Sequence, residues 1–132
     1  MKGFGFCLAS VAASLLAWPA AAHHSFSMFD AEKTISLTGM VKEFEWTNPH
    51  MWIYLMVPDE TGKPQEYSLE MQGPGQSLRL GWKPDSIKAG DKVTVQIHPL
   101  KTGAHGGQLL NVVLPSGQKL GVTGKPASPF GD

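Results

Sequence analysis

The sequence is poor in cysteine and arginine, and it has no long apolar segment beyond its N-terminus. Its one cysteine, Cys7, lies within the first 22 residues. If these residues are removed, the mature chain has no disulfide and no thiolate chemistry. Any metal site in it would then have to use histidine, methionine, carboxylate or the terminal amine as ligands.

Clustered positive charge is also missing. Arg79 is the single arginine, and residues 23–132 carry ten lysines and arginines against eleven acidic residues. Domains that bind nucleic acid usually present a basic face, so we expect no nucleic-acid partner. The chain also has no G-x-S-x-G elbow, Walker loop, zincin motif or dinucleotide fingerprint. We therefore expect no enzyme of these kinds.

The first 22 residues have the features of a secretory signal. Lys2 precedes an apolar run from Phe4 to Trp18, and Pro19 separates that run from Ala20-Ala21-Ala22. The run is shorter than the about 20 apolar residues that span a bilayer, so we expect no stable membrane span after cleavage. An uncleaved N-terminal anchor is the alternative. Cleavage after Ala22 predicts a periplasmic or secreted protein that begins at His23.

Short apolar runs separated by turn signals indicate an all-β domain over residues 23–120. The predicted strands are 34–46, 51–57, 65–71, 93–98 and 109–114, with one or two helical turns within 73–82. Gly39 lies where the apolar side chains of the first strand change face, which predicts a bulge or sharp bend. This order is that of a five-stranded, OB-like Greek-key barrel with a short helical link between strands 3 and 4. An open sandwich is the alternative, and residues 121–132 read as a flexible tail.

A combination of short motifs runs along the predicted mature chain. The motifs are His23-His24-Ser25-Phe26 followed by Phe29-Asp30, Gly39-Met40-Val41, Trp46-Thr47-Asn48-Pro49-His50, Glu70, Gly81-Trp82 and Gly90-Asp91. Together they resemble a bacterial domain-of-unknown-function family of short exported proteins. The resemblance covers residues 23 to 120, and HHSF after the signal combined with an internal NPH is its most specific part. It implies export and a single domain, and it supplies no reaction.

The predicted N-terminus is a candidate metal ligand. A terminal His23 would offer its α-amine and a ring nitrogen to one metal ion, and a distant histidine could complete a T-shaped set of three nitrogens. Nitrogen-rich, near-planar sites suit Cu(II). Cleavage one residue earlier would place His24 third from the amine, which is also a chelate for Cu(II) or Ni(II). The alternative is a solvated tail that contains two histidines.

His50 is the distant histidine that we assign to this site. Pro49 fixes φ and biases Asn48 towards an extended conformation, so His50 leaves the turn at a rigid strand end, which is a good mount for a ligand. We predict that His23, His24 and His50 bind a copper ion. The alternative for His50 is a half-exposed polar residue that follows a turn.

Carboxylates near this site have two interpretations. Glu70 could be a carboxylate ligand or could orient a ligating histidine through its other ring nitrogen, and we assign Glu70 and Asn48 as supporting residues. Glu43 and Glu45 share one face of the first strand and could do the same. All three carboxylates are also typical of a solvated sheet face.

Three aromatic residues support a second hypothesis from a different functional class. Trp46, Trp52 and Tyr54 could form a barrel face that binds an envelope peptide or glycan, which would make the protein an interaction module without a metal. The alternative is that these aromatic residues pack in the core or at its rim. Methionines also commonly fill gaps in a core. A third hypothesis is a redox enzyme that uses bound copper. Because the sequence indicates no substrate pocket, we assign no catalytic residue.

Overall fold

The computed structural model describes residues 26–122, apart from the side chain of Phe26. The predicted signal, His23 and His24 lie outside these residues. Within them, no helix is long and apolar enough to cross a membrane. The elements, in chain order, are a 3-10 turn Phe26–Met28, β1 Ile35–Glu45, β2 Trp52–Pro58, β3 Pro64–Glu70, α1 Pro74–Arg79, β4 Lys92–Pro99, β5 Gly106–Val113 and β6 Lys119–Gly121.

The first five strands form a closed barrel. Antiparallel pairing gives the order β3-β2-β1-β4-β5, and a parallel pairing of β3 with β5 at Ser68–Glu70 closes it. The helix α1 connects β3 to β4. These connections are those of an OB-type barrel, so the predicted fold class is confirmed.

β1 belongs to both halves of the barrel because it bends. Residues 35–40 pair with β4, and residues 40–45 pair with β2. The register with β2 shifts between Val41 and Glu43, which makes Lys42 the extra residue of a bulge. A Cβ on Gly39 would lie 2.4 Å from the carbonyl oxygen of Met56, so only glycine lets β1 and β2 approach this closely.

The barrel interior is filled by the inward face of every long strand. Fully buried members of the core include Ile53, Leu55, Leu69, Val95, Ile97, Leu109 and Val112. Burial of one such aliphatic side chain stabilises the fold by about 1.5–3 kcal/mol. Met51 and Met71 are also buried in this cluster, as packing of methionine predicts.

Trp82 fixes the end of the chain against the barrel. Its indole is completely buried, and Nε1–H donates a hydrogen bond to the carbonyl oxygen of Gly121 at 2.8 Å. Gly121 also pairs with Asn111 in the short strand β6, and Val122 is buried. Residues 121 and 122 therefore belong to the barrel and not to a tail. The sequence did not reveal β6, because a three-residue strand has too few residues for an alternating pattern.

Candidate functional site

His50 lies in the connection between β1 and β2, directly before β2. The Asn48–Pro49 peptide bond in this connection is cis. The hydroxyl of Thr47 donates to the carbonyl oxygen of His50 at 2.9 Å. The next residue, Met51, forms two backbone hydrogen bonds with the chain that follows β3. Its N–H donates to the carbonyl oxygen of Gln72 at 3.3 Å, and its carbonyl oxygen accepts from the N–H of Met71 at 2.9 Å. The backbone directly after His50 is therefore anchored to the end of β3.

Glu70 is the side chain that meets the His50 ring. It is the last residue of β3 and is buried, with 8% of its surface exposed. Its Oε1 lies 2.8 Å from Nδ1 of His50. The same Nδ1 lies 3.0 Å from the carbonyl oxygen of Met71. A buried carboxylate needs a hydrogen-bonding partner, and His50 supplies one here.

These two contacts determine which ring nitrogen carries the proton. A carbonyl oxygen accepts hydrogen bonds and cannot donate them, and an ionised carboxylate does the same. Because Nδ1 of His50 faces both kinds of acceptor, it must be the donor. A neutral His50 therefore has its proton on Nδ1 and its lone pair on Nε2, the nitrogen that can bind a metal in this tautomer.

The histidine stands at one side of an open cleft of about 410 Å³. The cleft is lined by Pro49, His50, Gln72, Gly73 and Gln76. A Cβ on Gly73 would lie 2.6 Å from the carbonyl oxygen of Pro49, so glycine is required where the start of α1 meets the β1–β2 connection. The two glutamines make the wall of this cleft polar.

The remaining residues of the predicted metal site are distributed as follows. His23 and His24 lie outside the described residues, so their predicted contact with His50 stays a prediction. Asn48 is exposed in the loop before His50. Within residues 26–122, no three side chains of His, Cys, Asp or Glu are grouped so that they could hold a metal ion. A site with three such side chains would therefore need at least one ligand from outside residues 26–122.

The predicted aromatic face is divided. Trp52 and Tyr54 are half-exposed and alternate with the buried Ile53, so they lie together on the outside of β2. Trp46 instead packs edge-to-face against Phe44, with ring centroids 5.9 Å apart, and contacts the core. The structure thus brings two of the three aromatic residues together.

The other two histidines of the described residues have separate partners. Nδ1 of His98 lies 2.7 Å from the carbonyl oxygen of Lys33, and the ring of His105 stacks on Tyr67 at a centroid distance of 4.6 Å. Neither residue lines the cleft at His50.

Sequence reasoning missed several parts of this site. The carbonyl of Met71 and the side chains of Gln72 and Gln76 have no motif of their own. They lie beside the His50 cleft only because β2 and β3 pair with Trp52 opposite Glu70 and because α1 begins at Pro74. The proline-glycine pair after Gly73 was the one available signal, since Pro is favoured in the first turn of a helix.

Comparison with known proteins gives a family and one distant structural likeness. A family of unknown function, DUF6152, matches residues 11–110. No curated protein matches the chain in sequence. Among solved structures, the chain is similar to the mitochondrial single-stranded DNA-binding protein Rim1 of S. cerevisiae, with 14% identity and a TM-score of 0.45, over 63% of this chain and 94% of that chain. The function has to be argued from the residues themselves.

Proposed function

Because the chain belongs to DUF6152, a family of unknown function, we propose a function from its own residues: an exported protein that binds a copper ion through His23, His24 and His50. The observation that carries the proposal is the contact of His50 Nδ1 with Glu70 Oε1 at 2.8 Å. Histidines that bind metals commonly donate their other ring N–H to a carboxylate or a backbone carbonyl, which fixes the ring and strengthens the ligating nitrogen. His50 has both kinds of acceptor at Nδ1.

The position of Phe29 supports the participation of the N-terminus. Phe29 forms a bridge with Leu100, the N–H of Leu100 donates to Gly106, and Gly106 pairs with Ser68 in β3. Three strand spacings separate Phe29 from β3, which is about 14 Å. Residues 23–29 in extended form span about 20 Å. The chain before Phe29 is thus long enough for His23 to reach the end of β3.

The chemistry of the ligands favours copper. Three imidazole or amine nitrogens form a nitrogen-rich set, which suits Cu(II), and the domain from His23 onward has no cysteine to bind softer ions. A terminal α-amine has a reference pKa of about 7.7–8.0, so it loses its proton for metal binding more easily than a lysine amine. The amine of His23 exists only if the signal is cleaved after Ala22. Export and metal binding are therefore linked in this proposal.

A calorimetric titration with Cu(II) tests the proposed ligands. The mature protein beginning at His23 is compared with a form whose N-terminal amine is acetylated, which blocks the amine ligand, and with His50→Ala. We expect each change to weaken binding by at least about tenfold, because each removes a ligand. His98→Ala is the matched control, since His98 also holds a carbonyl oxygen through Nδ1, and it should bind as the unchanged protein does. An affinity that is unchanged by both the acetylation and His50→Ala contradicts the proposed site.

Mass spectrometry of the protein recovered from its native host tests the export step separately. We expect a first residue of His23 and a bound copper ion. A native protein that retains its first 22 residues contradicts the proposed amine ligand, while His50 remains testable by the titration.

The second candidate function is an interaction module that binds an envelope peptide or glycan. It is favoured by the half-exposed Trp52 and Tyr54 on the outside of β2. The strands β2 and β3 form the face that OB-type barrels commonly use for ligands. This function and copper binding use neighbouring surfaces, because Trp52 pairs with Glu70 in the sheet.

A further inference from the structure

The outer face of β1, β2 and β3 carries an aromatic stripe between two lines of carboxylates. The stripe is on the central strand, β2, and consists of the rings of Trp52 and Tyr54 with Met56 next along the same face. The carboxylates are on the strands at either side, directly opposite the stripe in the sheet register. The pairs are Glu45 and Glu70 with Trp52, Glu43 with Tyr54, and Glu66 with Met56. Residues that are paired in this way on one face have Cβ atoms about 4.5–5.5 Å apart and interact directly.

The carboxylates act on the stripe electrostatically. Burial raises the pKa of Tyr54, and the negative charges of Glu45 and Glu43 raise it further. The hydroxyl of Tyr54 also lies 3.5 Å from Oε2 of Glu45. The face therefore has a negative potential at the same place where it offers aromatic rings.

One end of this face already holds a cation from the protein itself. Lys42, the extra residue of the β1 bulge, reaches across β2 and forms an ion pair with Glu66 of β3 at 2.5 Å. The hydrogen bond and charge of Glu66 raise the pKa of Lys42. Within residues 26–122, Glu43 and Glu45 form no ion pair with a lysine, arginine or histidine. The charge of Glu43 also acts on Lys42, but Lys42 pairs with Glu66, so the carboxylates of Glu43 and Glu45 have no paired cation of their own in the described part of the chain.

We propose that the face formed by Trp52, Tyr54, Glu43 and Glu45 binds a lysine- or arginine-bearing segment of a partner protein. A guanidinium or ammonium group is attracted to the face of an aromatic ring and forms charge-assisted hydrogen bonds with carboxylates. Phosphates of a nucleic acid would be repelled by the same carboxylates, and a neutral glycan would leave them unpaired. Charge complementarity therefore selects a cationic peptide as the occupant. This proposal does not depend on copper.

An NMR titration of the metal-free protein tests the proposal, with a chelator present. The probe is a short peptide that alternates arginine with glycine, and its control replaces each arginine with glutamine. We expect saturable shifts in the amides of β1–β3 and in the indole N–H of Trp52 with the arginine peptide alone. The shifts should weaken as salt is added, because exposed charges are screened. Shifts on another face, equal binding of the glutamine peptide, or binding of an oligonucleotide in place of the peptide overturns the proposal.

Variants then test the individual residues. Glu43→Gln/Glu45→Gln should weaken binding about three- to tenfold, as expected for the loss of two exposed ion pairs. Trp52→Leu should weaken it about two- to fivefold. The matched control is Glu32→Gln/Glu60→Gln, which removes the same charge from exposed loop positions and should leave the affinity unchanged. An equal loss in the control shows that only net charge acts, which contradicts the assigned site.

Lys42→Gln gives the sharpest outcome, because the expected change is a gain in affinity for the arginine peptide. Removal of Lys42 releases Glu66 for the partner, so the affinity for the arginine peptide should rise about two- to fivefold. A purely structural Lys42 would give unchanged or weaker binding on substitution, and either result overturns the assigned role of the carboxylate lines. The amide spectrum of each variant reports whether the barrel is intact.

Discussion

Replacement of Glu70 with leucine tests whether the Glu70 carboxylate strengthens metal binding by His50. The substitution removes the acceptor at 2.8 Å from Nδ1 and leaves the carbonyl oxygen of Met71 at 3.0 Å. Loss of such a supporting group typically weakens metal binding by about 10–100-fold. Because the Met71 carbonyl still holds the same tautomer, we expect a loss near the lower end, about tenfold. The buried hydrogen bond also contributes stability, and its loss should cost about 1–2 kcal/mol.

A series of variants separates the charge of Glu70 from its geometry. Glu70→Gln keeps an oxygen that can accept from His50 Nδ1, so it should weaken copper binding by only about two- to fivefold. Glu66→Gln is the control, since Glu66 lies on the same strand and pairs with Lys42 instead. The assay is a competition titration against a chelator of known copper affinity, with urea unfolding to confirm that each variant is folded. Unchanged binding in a folded Glu70→Leu, or an equal loss in the control, refutes the reasoning.

Three further substitutions test the framework around the site. Gly73→Ala would place a Cβ 2.6 Å from the carbonyl oxygen of Pro49, so it should cost about 1–3 kcal/mol of unfolding free energy and weaken copper binding; wild-type behaviour in both assays would refute this. Trp82→Phe removes the hydrogen bond to Gly121 and some core volume, so urea unfolding should show a loss of about 2 kcal/mol. Hydrogen bonds, chiefly from the Thr61 side chain, lower the pKa of Asp59 from 3.8, so Asp59→Ala should destabilise the fold at neutral pH. A lowered carboxylate pKa contributes stability above its unfolded value, and this contribution should disappear between about pH 5 and about pH 2 in urea melts; a pH-independent difference would contradict it.

The alternation of apolar residues was sufficient to predict the barrel. Ile53, Leu55 and Leu69 follow the two-residue period of a half-buried strand, and Gly39 lies beside Met40, where β1 passes from pairing with β4 to pairing with β2. The bulge at Lys42 could not be predicted, because its position depends on the register between β1 and β2. β6 was missed because a strand of three residues is too short to show an alternating pattern. Its position also depends on the hydrogen bond that Trp82 donates to Gly121.

The candidate site was accessible to sequence reasoning only in part. Asn48-Pro49 indicated that His50 would stand at a fixed strand end, and Glu70 was singled out as a carboxylate that could orient it. The carbonyl of Met71 could not be assigned from the sequence, because backbone groups have no sequence signature and meet His50 only through the pairing of β2 with β3. Trp46 shows a second limit of the sequence. It was assigned to the same aromatic face as Trp52, but in the structure it packs against Phe44.

Paramagnetic broadening by Cu(II) is the most direct test of the idea that the N-terminus and His50 form one site. The mature protein is loaded with one equivalent of Cu(II), and its amide and side-chain signals are recorded. We predict that broadening is centred on His50 and extends to Gln72, Gly73 and Gln76, which line the same cleft. Broadening confined to residues before Phe29, with the His50 signals unchanged, would show that the terminus binds copper alone and would contradict the account.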